Sequence, residues 1–319
     1  MNMKYKKHII KVFAFIAILV AIDQIGGRCL DALREKIYSR HPQADKTWYL
    51  AKAGDAEIGI IGSSGATGNY DANKISKALG MSVFNGGISG HTADYQCALI
   101  RLMLQHHKPK YILWELDDVA FSDLFSDMDY NGTIDIYPYY GNDFVKKYID
   151  RKDGWQKFRM MSRLYRHNSK IMNYLAVAFN HTQDSLNGYE PLPAEGYQYP
   201  ELKEPTGSNA VYDASFNPAR AERIQQTLDF CREQGVKVVI TNAPYLTKAP
   251  VRASLCHKTL VEMAQRNDIP YMDFMQMEEF NADPTLFHDT DHLNCRGTEK
   301  YMSIFIPALR QAIDEGRRD

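Results

Sequence analysis

The chain has 319 residues, 45% hydrophobic and 24% charged, which is enough for one large α/β domain or two modest ones and excludes a disordered chain. With 38 basic and 39 acidic residues the net charge is −1, so the balance points away from nucleic acid and toward a small-molecule or glycan substrate. Cys29, Cys97, Cys231, Cys256 and Cys295 lie far apart, without a C-x-x-C pair or a zinc spacing. They read as core thiols, with one disulfide open to an oxidising compartment.

The N-terminus carries Lys4, Lys6, Lys7 and Lys11 ahead of an unbroken apolar run, Val12 to Ile22, that Asp23 ends. A basic region followed by an apolar one is the pattern of a secretory signal or a signal anchor. No small-x-small cleavage site follows, and Arg28 before Cys29 spoils a lipoprotein acylation signal. From Ile9 to Gly27, with Lys11 snorkelling, the segment reaches the roughly 17 to 25 residues of a spanning helix. We therefore expect an uncleaved transmembrane helix over residues 1–30, with the lysines cytoplasmic and the remainder outside the membrane. The competing reading is a buried N-terminal helix. Residues 31–54 follow as a short amphipathic juxtamembrane helix, Cys29 to Tyr38, and a polar linker, His41 to Tyr49.

The globular part is expected over 55–319. Glu57 to Ile61 is a short apolar run stopped by Gly62, as in a strand buried on both faces. Asn73 to Leu79 reads as a helix, Met81 to Phe84 as a second strand, Thr92 to Gln105 as a long helix and Tyr111 to Leu116 as a third strand. Alternating strands and helices with short loops imply parallel βαβ units, hence an α/β fold with a doubly wound, mostly parallel sheet flanked by helices. From about 121 to 215 the alternation stops. Asp143 to Ile149 and Trp155 to Ala178 look helical and Asn187 to Ser208 irregular, so this is a helical insertion placed to cap the site. Its aromatic stretch Tyr137-Pro-Tyr-Tyr140 suits either core packing or sugar stacking. The pattern then resumes with a helix from Asn217 to Gln234, a strand at Val236 to Ile240, a helix from Arg252 to Arg266, a short strand at Tyr271 to Phe274 and a last helix from Arg296 to Gly316.

In open α/β sheets ligands bind beyond the carboxyl ends of the strands. There lie Gly62-Ser-Ser-Gly-Ala-Thr-Gly68, Asn85-Gly-Gly-Ile-Ser-Gly90, Asp117-Asp118 and Phe287-His-Asp-Thr-Asp-His-Leu-Asn294. A phosphate-cradling loop would need Lys and then Ser or Thr after its glycines, but Asn69-Tyr70 follow Gly68, and glycines at 62, 65 and 68 do not fit G-x-G-x-x-G. A mere tight turn would leave the distant His/Asp cluster unexplained. A nucleophilic serine needs a base, an acid to orient it and donors for an oxyanion. Ser64 is placed for the first role, His292 for the base and Asp289 for the orienting acid, while the amides of Ser64 and Gly90 are natural oxyanion donors. His288, Asp289, Asp291 and His292 also form a possible metal set, though they are crowded into five residues ahead of a helix, and Asp291 or Asn294 suits an N-cap.

Gly62-Ser63-Ser64, Asn85 to Gly90 and Asp289-Thr-Asp-His292-Leu-Asn, in this order, resemble the blocks of the SGNH/GDSL hydrolase superfamily over most of residues 55–310 outside the insertion. The resemblance implies a flavodoxin-like α/β fold with Ser64 as nucleophile, Gly90 as oxyanion donor, His292 as base and Asp289 as its acid; no cofactor and no metal is expected. Gly-Ser-Ser variants look like membrane-anchored bacterial members associated with envelope glycans. One block departs: where the family places an oxyanion-binding asparagine this chain has Glu115-Leu-Asp-Asp118, so the position falls at Asp118, and Asn85 or Asn242 is left to supply the amide. Ser63 is the alternative nucleophile. The expected activity is a serine esterase or O-acyltransferase acting on an acylated envelope glycan or lipid. The other reading is a non-catalytic relative that binds glycan or helps assemble an export complex.

Overall fold

The computed structural model describes residues 3–117, 119–123, 133–151, 154–179, 186–194, 213, 215–246 and 251–315. In chain order the helices and strands are α1 (Met3–Tyr38), α2 (Lys46–Lys52), β1 (Ile58–Ile61), α3 (Ser64–Asn69), α4 (Ala72–Leu79), β2 (Val83–Asn85), α5 (Ala93–His106), β3 (Tyr111–Glu115), α6 (Asp143–Asp150), α7 (Gln156–Arg159), α8 (Ile171–Phe179), α9 (Pro218–Glu233), β4 (Lys237–Asn242), α10 (Leu255–Arg266), β5 (Tyr271–Asp273), α11 (Glu278–Asn281) and α12 (Cys295–Glu315). They fall into two compact units, residues 1–44 with 133–183, and residues 45–132 with 184–319.

The larger unit holds a five-stranded sheet in the order β2-β1-β3-β4-β5, every pair parallel. The expected α/β architecture is therefore present. Strands with both faces covered must be apolar throughout, and all four residues of β1 are buried. Ile58 and Ile60 join a cluster with Ile75 of α4 and Tyr301, Phe305 and Leu309 of α12. On the opposite face the Cα of Gly59 lies against Met103 of α5, and Trp114 Nε1 donates to Gln96 Oε1 of the same helix at 2.7 Å. The stretch expected as a linker instead contains α2, whose N-cap Asp45 accepts from the Trp48 amide and whose Trp48 and Leu50 are buried. All five cysteines are free thiols, and Cys97, Cys231 and Cys256 are buried. Burial pushes Cys97 and Cys231 up to about 12, so neither is a reactive thiolate at neutral pH.

The smaller unit is built on α1, a single helix of 36 residues long and apolar enough to cross a membrane over its N-terminal part. The helix runs unbroken through Gly26 and Gly27 to Tyr38, and Gly27 admits a close neighbour: a Cβ there would meet Arg163 Cβ at 2.1 Å. The stretch Trp155 to Ala178, which reads as helical in the sequence, is not continuous. It breaks into α7, a 3₁₀ turn at Tyr165–His167 and α8, because Asp23 takes the Arg163 and Leu164 amides at 3.0 and 3.3 Å. Ser169, at φ 63°, turns the chain into α8. Tyr137 and Tyr140 are buried and Tyr137 accepts a hydrogen bond from Gln156, so these two rings belong to the core of this unit.

Candidate active site

The loop after β1 is shaped by a side chain from its neighbour. Glu115, the last residue of β3, lies 1% exposed directly against the glycines. A Cβ on Gly62 would stand 2.7 Å from Glu115 Oε2 and one on Gly65 2.7 Å from Oε1. The Ser63 amide donates to Oε2 at 3.4 Å. Sequence reasoning assigned Glu115 nothing; the signal for it was a carboxylate at the end of an otherwise apolar strand, facing two small residues. The chain then enters α3 with Ser63 as N-cap, so Ser64 is the first helical residue. Its hydroxyl is carried on a rigid element, and its amide has no intrahelical acceptor.

His292 arrives from the other end of the chain. An antiparallel bridge pairs Phe287 with Leu293, and the His288 amide donates to the His292 carbonyl at 2.8 Å, closing a tight loop. Within it Asp289 Oδ1 accepts the Asp291 and His292 amides, each at 2.9 Å. The same carboxylate meets His292 Nδ1 at 2.7 and 2.8 Å through its two oxygens. Because a carboxylate only accepts, Nδ1 carries the ring proton and Nε2 is left with its lone pair. Nε2 lies 2.7 Å from Ser64 Oγ, so the serine O–H donates to it. Ser64, Asp289 and His292 are thus brought together in one hydrogen-bonded chain.

Electrostatics follow this arrangement. Burial disfavours charging His292, but the hydrogen bond and charge of Asp289, with the charges of Asp291 and Glu115, outweigh it and hold the imidazole pKa above its ordinary value. Burial likewise opposes ionising Asp289, and His292 with the two loop amides overcomes it, holding the carboxyl below the usual range. The pair is therefore an ionised acid beside an imidazole of enhanced basicity.

Asn69 ties the helix that carries Ser64 to the loop that carries His292. It is fully buried at the end of α3, and its Oδ1 accepts the Leu293 amide at 3.0 Å, one residue past His292. Thr298 Oγ1 adds a bond to the Gly68 carbonyl at 3.1 Å. Asn294 caps α12 as expected, accepting the Arg296 and Gly297 amides at 3.0 and 3.1 Å.

The oxyanion assignments need correction at the asparagines. Asn85 is fully buried and both its N–H bonds are committed, to the Ala66 carbonyl at 2.7 Å and the Tyr70 carbonyl at 2.9 Å, while Oδ1 accepts the Gly87 amide at 2.9 Å. It moors α3 and is not available to an oxyanion. Asn242 is also buried; its Nδ2 donates to the Leu116 carbonyl and its Oδ1 accepts from the Tyr271 hydroxyl. Gly90, at φ 74°, sits in the loop that the Ile88 amide ties to the Gly62 carbonyl at 3.2 Å. Asp118 lies outside the described residues. Its neighbour Asp117 accepts the Val119 amide at 3.2 Å. Among the described residues no group of three or more His, Cys, Asp or Glu side chains converges as a metal site would.

Asn85→Ala is expected to destabilise the larger unit by about 2–4 kcal/mol, because two buried carbonyls and one amide lose their partner together with the packed side chain. Urea unfolding of the purified protein measures it, and a change below about 0.5 kcal/mol would show that Asn85 does not hold α3.

No family model and no curated protein matches the chain. Solved structures do. A candidate acylhydrolase from Bacteroides fragilis aligns at 14% identity and a TM-score of 0.40, covering 81% of this chain and 86% of that one. An α/β hydrolase from the metagenome of Lake Arreo, Spain, aligns at 11% identity and a TM-score of 0.39, over 81% and 97% of the two chains. A gut microbial diltiazem-metabolizing enzyme aligns at 13% identity and 0.37, over 81% of this chain and 48% of that one. At such identities and TM-scores the chemistry has to be read from the residues themselves.

Proposed function

We propose that the chain is a membrane-anchored serine hydrolase of SGNH/GDSL type that cleaves or transfers acyl groups through an acyl-serine intermediate. The observation that carries the reading is the 2.7 Å contact of Ser64 Oγ with a His292 Nε2 whose opposite nitrogen is held by Asp289. Ser64 Oγ attacks the ester carbonyl as His292 takes its proton, and the carbonyl oxygen becomes an oxyanion facing the Ser64 and Gly90 amides. Collapse expels the alcohol, which takes the proton from His292, and leaves the acyl group on Ser64. An incoming water or sugar hydroxyl, deprotonated by His292, then releases the acyl group as acid or as a new ester.

The substrate proposed is an acylated envelope glycan or lipid. It follows from reading α1 as an uncleaved anchor, with the lysine-rich N-terminus cytoplasmic and the sheet unit outside the membrane, and from the resemblance of Gly62-Ser-Ser64 to envelope-associated members of the superfamily. The engagement of Asn85 and Asn242 elsewhere favours one second reading, a non-catalytic glycan-binding or export-assembly protein, since a missing oxyanion donor costs on the order of 100- to 1000-fold in rate.

A fluorophosphonate probe separates the two. Wild type and Ser63→Ala are expected to be labelled, whereas Ser64→Ala and His292→Ala are not. An unlabelled, folded wild type would sink the hydrolase reading.

A further inference from the structure

The end of the apolar run in α1 is not bare. Asp23, the first charged residue after Ile22, accepts the Ser162 hydroxyl as well as the Arg163 and Leu164 amides. Gln24 Nε2 donates to the Met161 carbonyl at 3.2 Å, and Gly26 lies against Leu164. At about 1.5 Å of rise per residue, Ile22 to Gly26 spans about 6 Å. From Ile9 to Gly27 the helix covers about 28 Å of the roughly 30 Å hydrocarbon core, so the segment 161–164 is held beside the last turn of the span, at the boundary between hydrocarbon and headgroups.

What this segment exposes is apolar and regularly spaced. Arg159 N to Trp155 O at 3.2 Å and Met160 N to Gln156 O at 2.9 Å close α7, and Met161 N to Phe158 O and Ser162 N to Arg159 O, both 3.1 Å, continue it in 3₁₀-like turns, so residues three apart neighbour one another along one side. Gln156 and Met160 are buried on the inner side. Trp155, Phe158, Met161 and Leu164, each three residues from the next, are 69%, 54%, 68% and 37% exposed. Lys157 and Arg159 between them are exposed as well, and Lys157 Nζ lies 5.1 Å over the Phe158 ring. Trp, large apolar side chains and basic residues gathered in one short segment are what the membrane interface selects. Helix α8 also shows apolar residues, but its Tyr174 packs on Tyr38, about 24 Å of helix beyond Ile22, and it does not belong to this edge.

We propose that Trp155, Phe158, Met161 and Leu164 form an interfacial edge that enters the headgroup region of a phospholipid bilayer beside the span, with Lys157 and Arg159 toward lipid phosphates. The occupant is lipid because Asp23 fixes Ser162, Arg163 and Leu164 to the end of the apolar run of α1, whose large side chains from Ile9 to Ile22 are themselves exposed. This inference rests on α1 being a membrane span. Its consequence is that α1 is fixed in rotation and depth, giving the smaller unit a defined seat on the membrane and not a tether.

The chain has three tryptophans, and Trp48 and Trp114 are only 3% and 0% exposed, so a quencher carried by lipid reads Trp155. Full-length protein is reconstituted into phosphatidylcholine/phosphatidylglycerol vesicles, plain or brominated high on the acyl chains. Wild-type emission is expected to fall in the brominated vesicles, and the emission of W155F to stay the same in both. Flotation of the vesicles reads the span independently. Protein that floats with unquenched Trp155 overturns the interfacial edge alone, whereas protein that fails to float overturns the span and the edge together. Unquenched Trp155 with crosslinking of Met161→Cys between chains would assign the edge to a second copy and likewise overturn the proposal.

Discussion

Ser64→Ala is expected to lower kcat on an activated ester such as p-nitrophenyl acetate by on the order of 10⁶-fold, and His292→Ala by a similar factor. The two changes together should cost no more than either one alone. In the proposed mechanism serine and histidine act as one unit across the 2.7 Å contact, so removing either would leave only binding and the oxyanion amides to speed the reaction. Steady-state turnover with active-site titration measures this. Activity of Ser64→Ala within tenfold of wild type would move the nucleophile elsewhere, and Ser63, one residue earlier at the N-cap, would be the next position to replace.

Asp289→Asn is expected to cost on the order of 10⁴-fold in kcat, because an asparagine no longer holds the imidazole in the tautomer that leaves Nε2 free to accept. Its signature is in the pH profile. The base must be neutral, so kcat/KM of the wild type rises with pH through the His292 pKa, which lies above the ordinary 6.5. The Asp289 carboxylate is the chief cause of that elevation, so Asp289→Asn should move the rising limb to lower pH while lowering the plateau. The shift has a counterpart in stability. A histidine whose folded pKa is raised stabilises the fold below its unfolded pKa and loses that contribution as pH climbs through the folded one. Asp289, with its folded pKa depressed, contributes above its unfolded pKa and loses it as pH falls. A rising limb that stays in place in Asp289→Asn would show that the residue does not set the basicity of His292.

The sheet was legible because its strands announce themselves physically. Ile58 to Ile61 and Tyr111 to Glu115 are buried throughout, a condition that demands short, nearly continuous apolar runs ended by glycine or polar residues. Ser64, Asp289 and His292 could be singled out for the same kind of reason, since a strand-end serine and a tight Asp/His loop are local features with a known chemical partner. Asn85 was legible as a position and not as a role. Its amide faces Ala66 and Tyr70, and nothing in Asn85-Gly-Gly states which way a side chain points.

Sequence alone therefore determined the periodic and the local: the parallel α/β alternation, the apolar N-terminal helix and the residue types of the candidate triad. Only the tertiary structure decided what depends on partners far along the chain. Glu115 sets the glycines of the serine loop from 52 residues away, and Asn69 joins that helix to the histidine loop across 224 residues. Asp23 breaks a helix 140 residues downstream by taking the Arg163 amide. The physical reason is the same in each case. A periodic pattern reports which face of an element is buried, whereas a hydrogen bond between distant segments is specified by the position of both ends, and the second end is fixed only when the chain has folded.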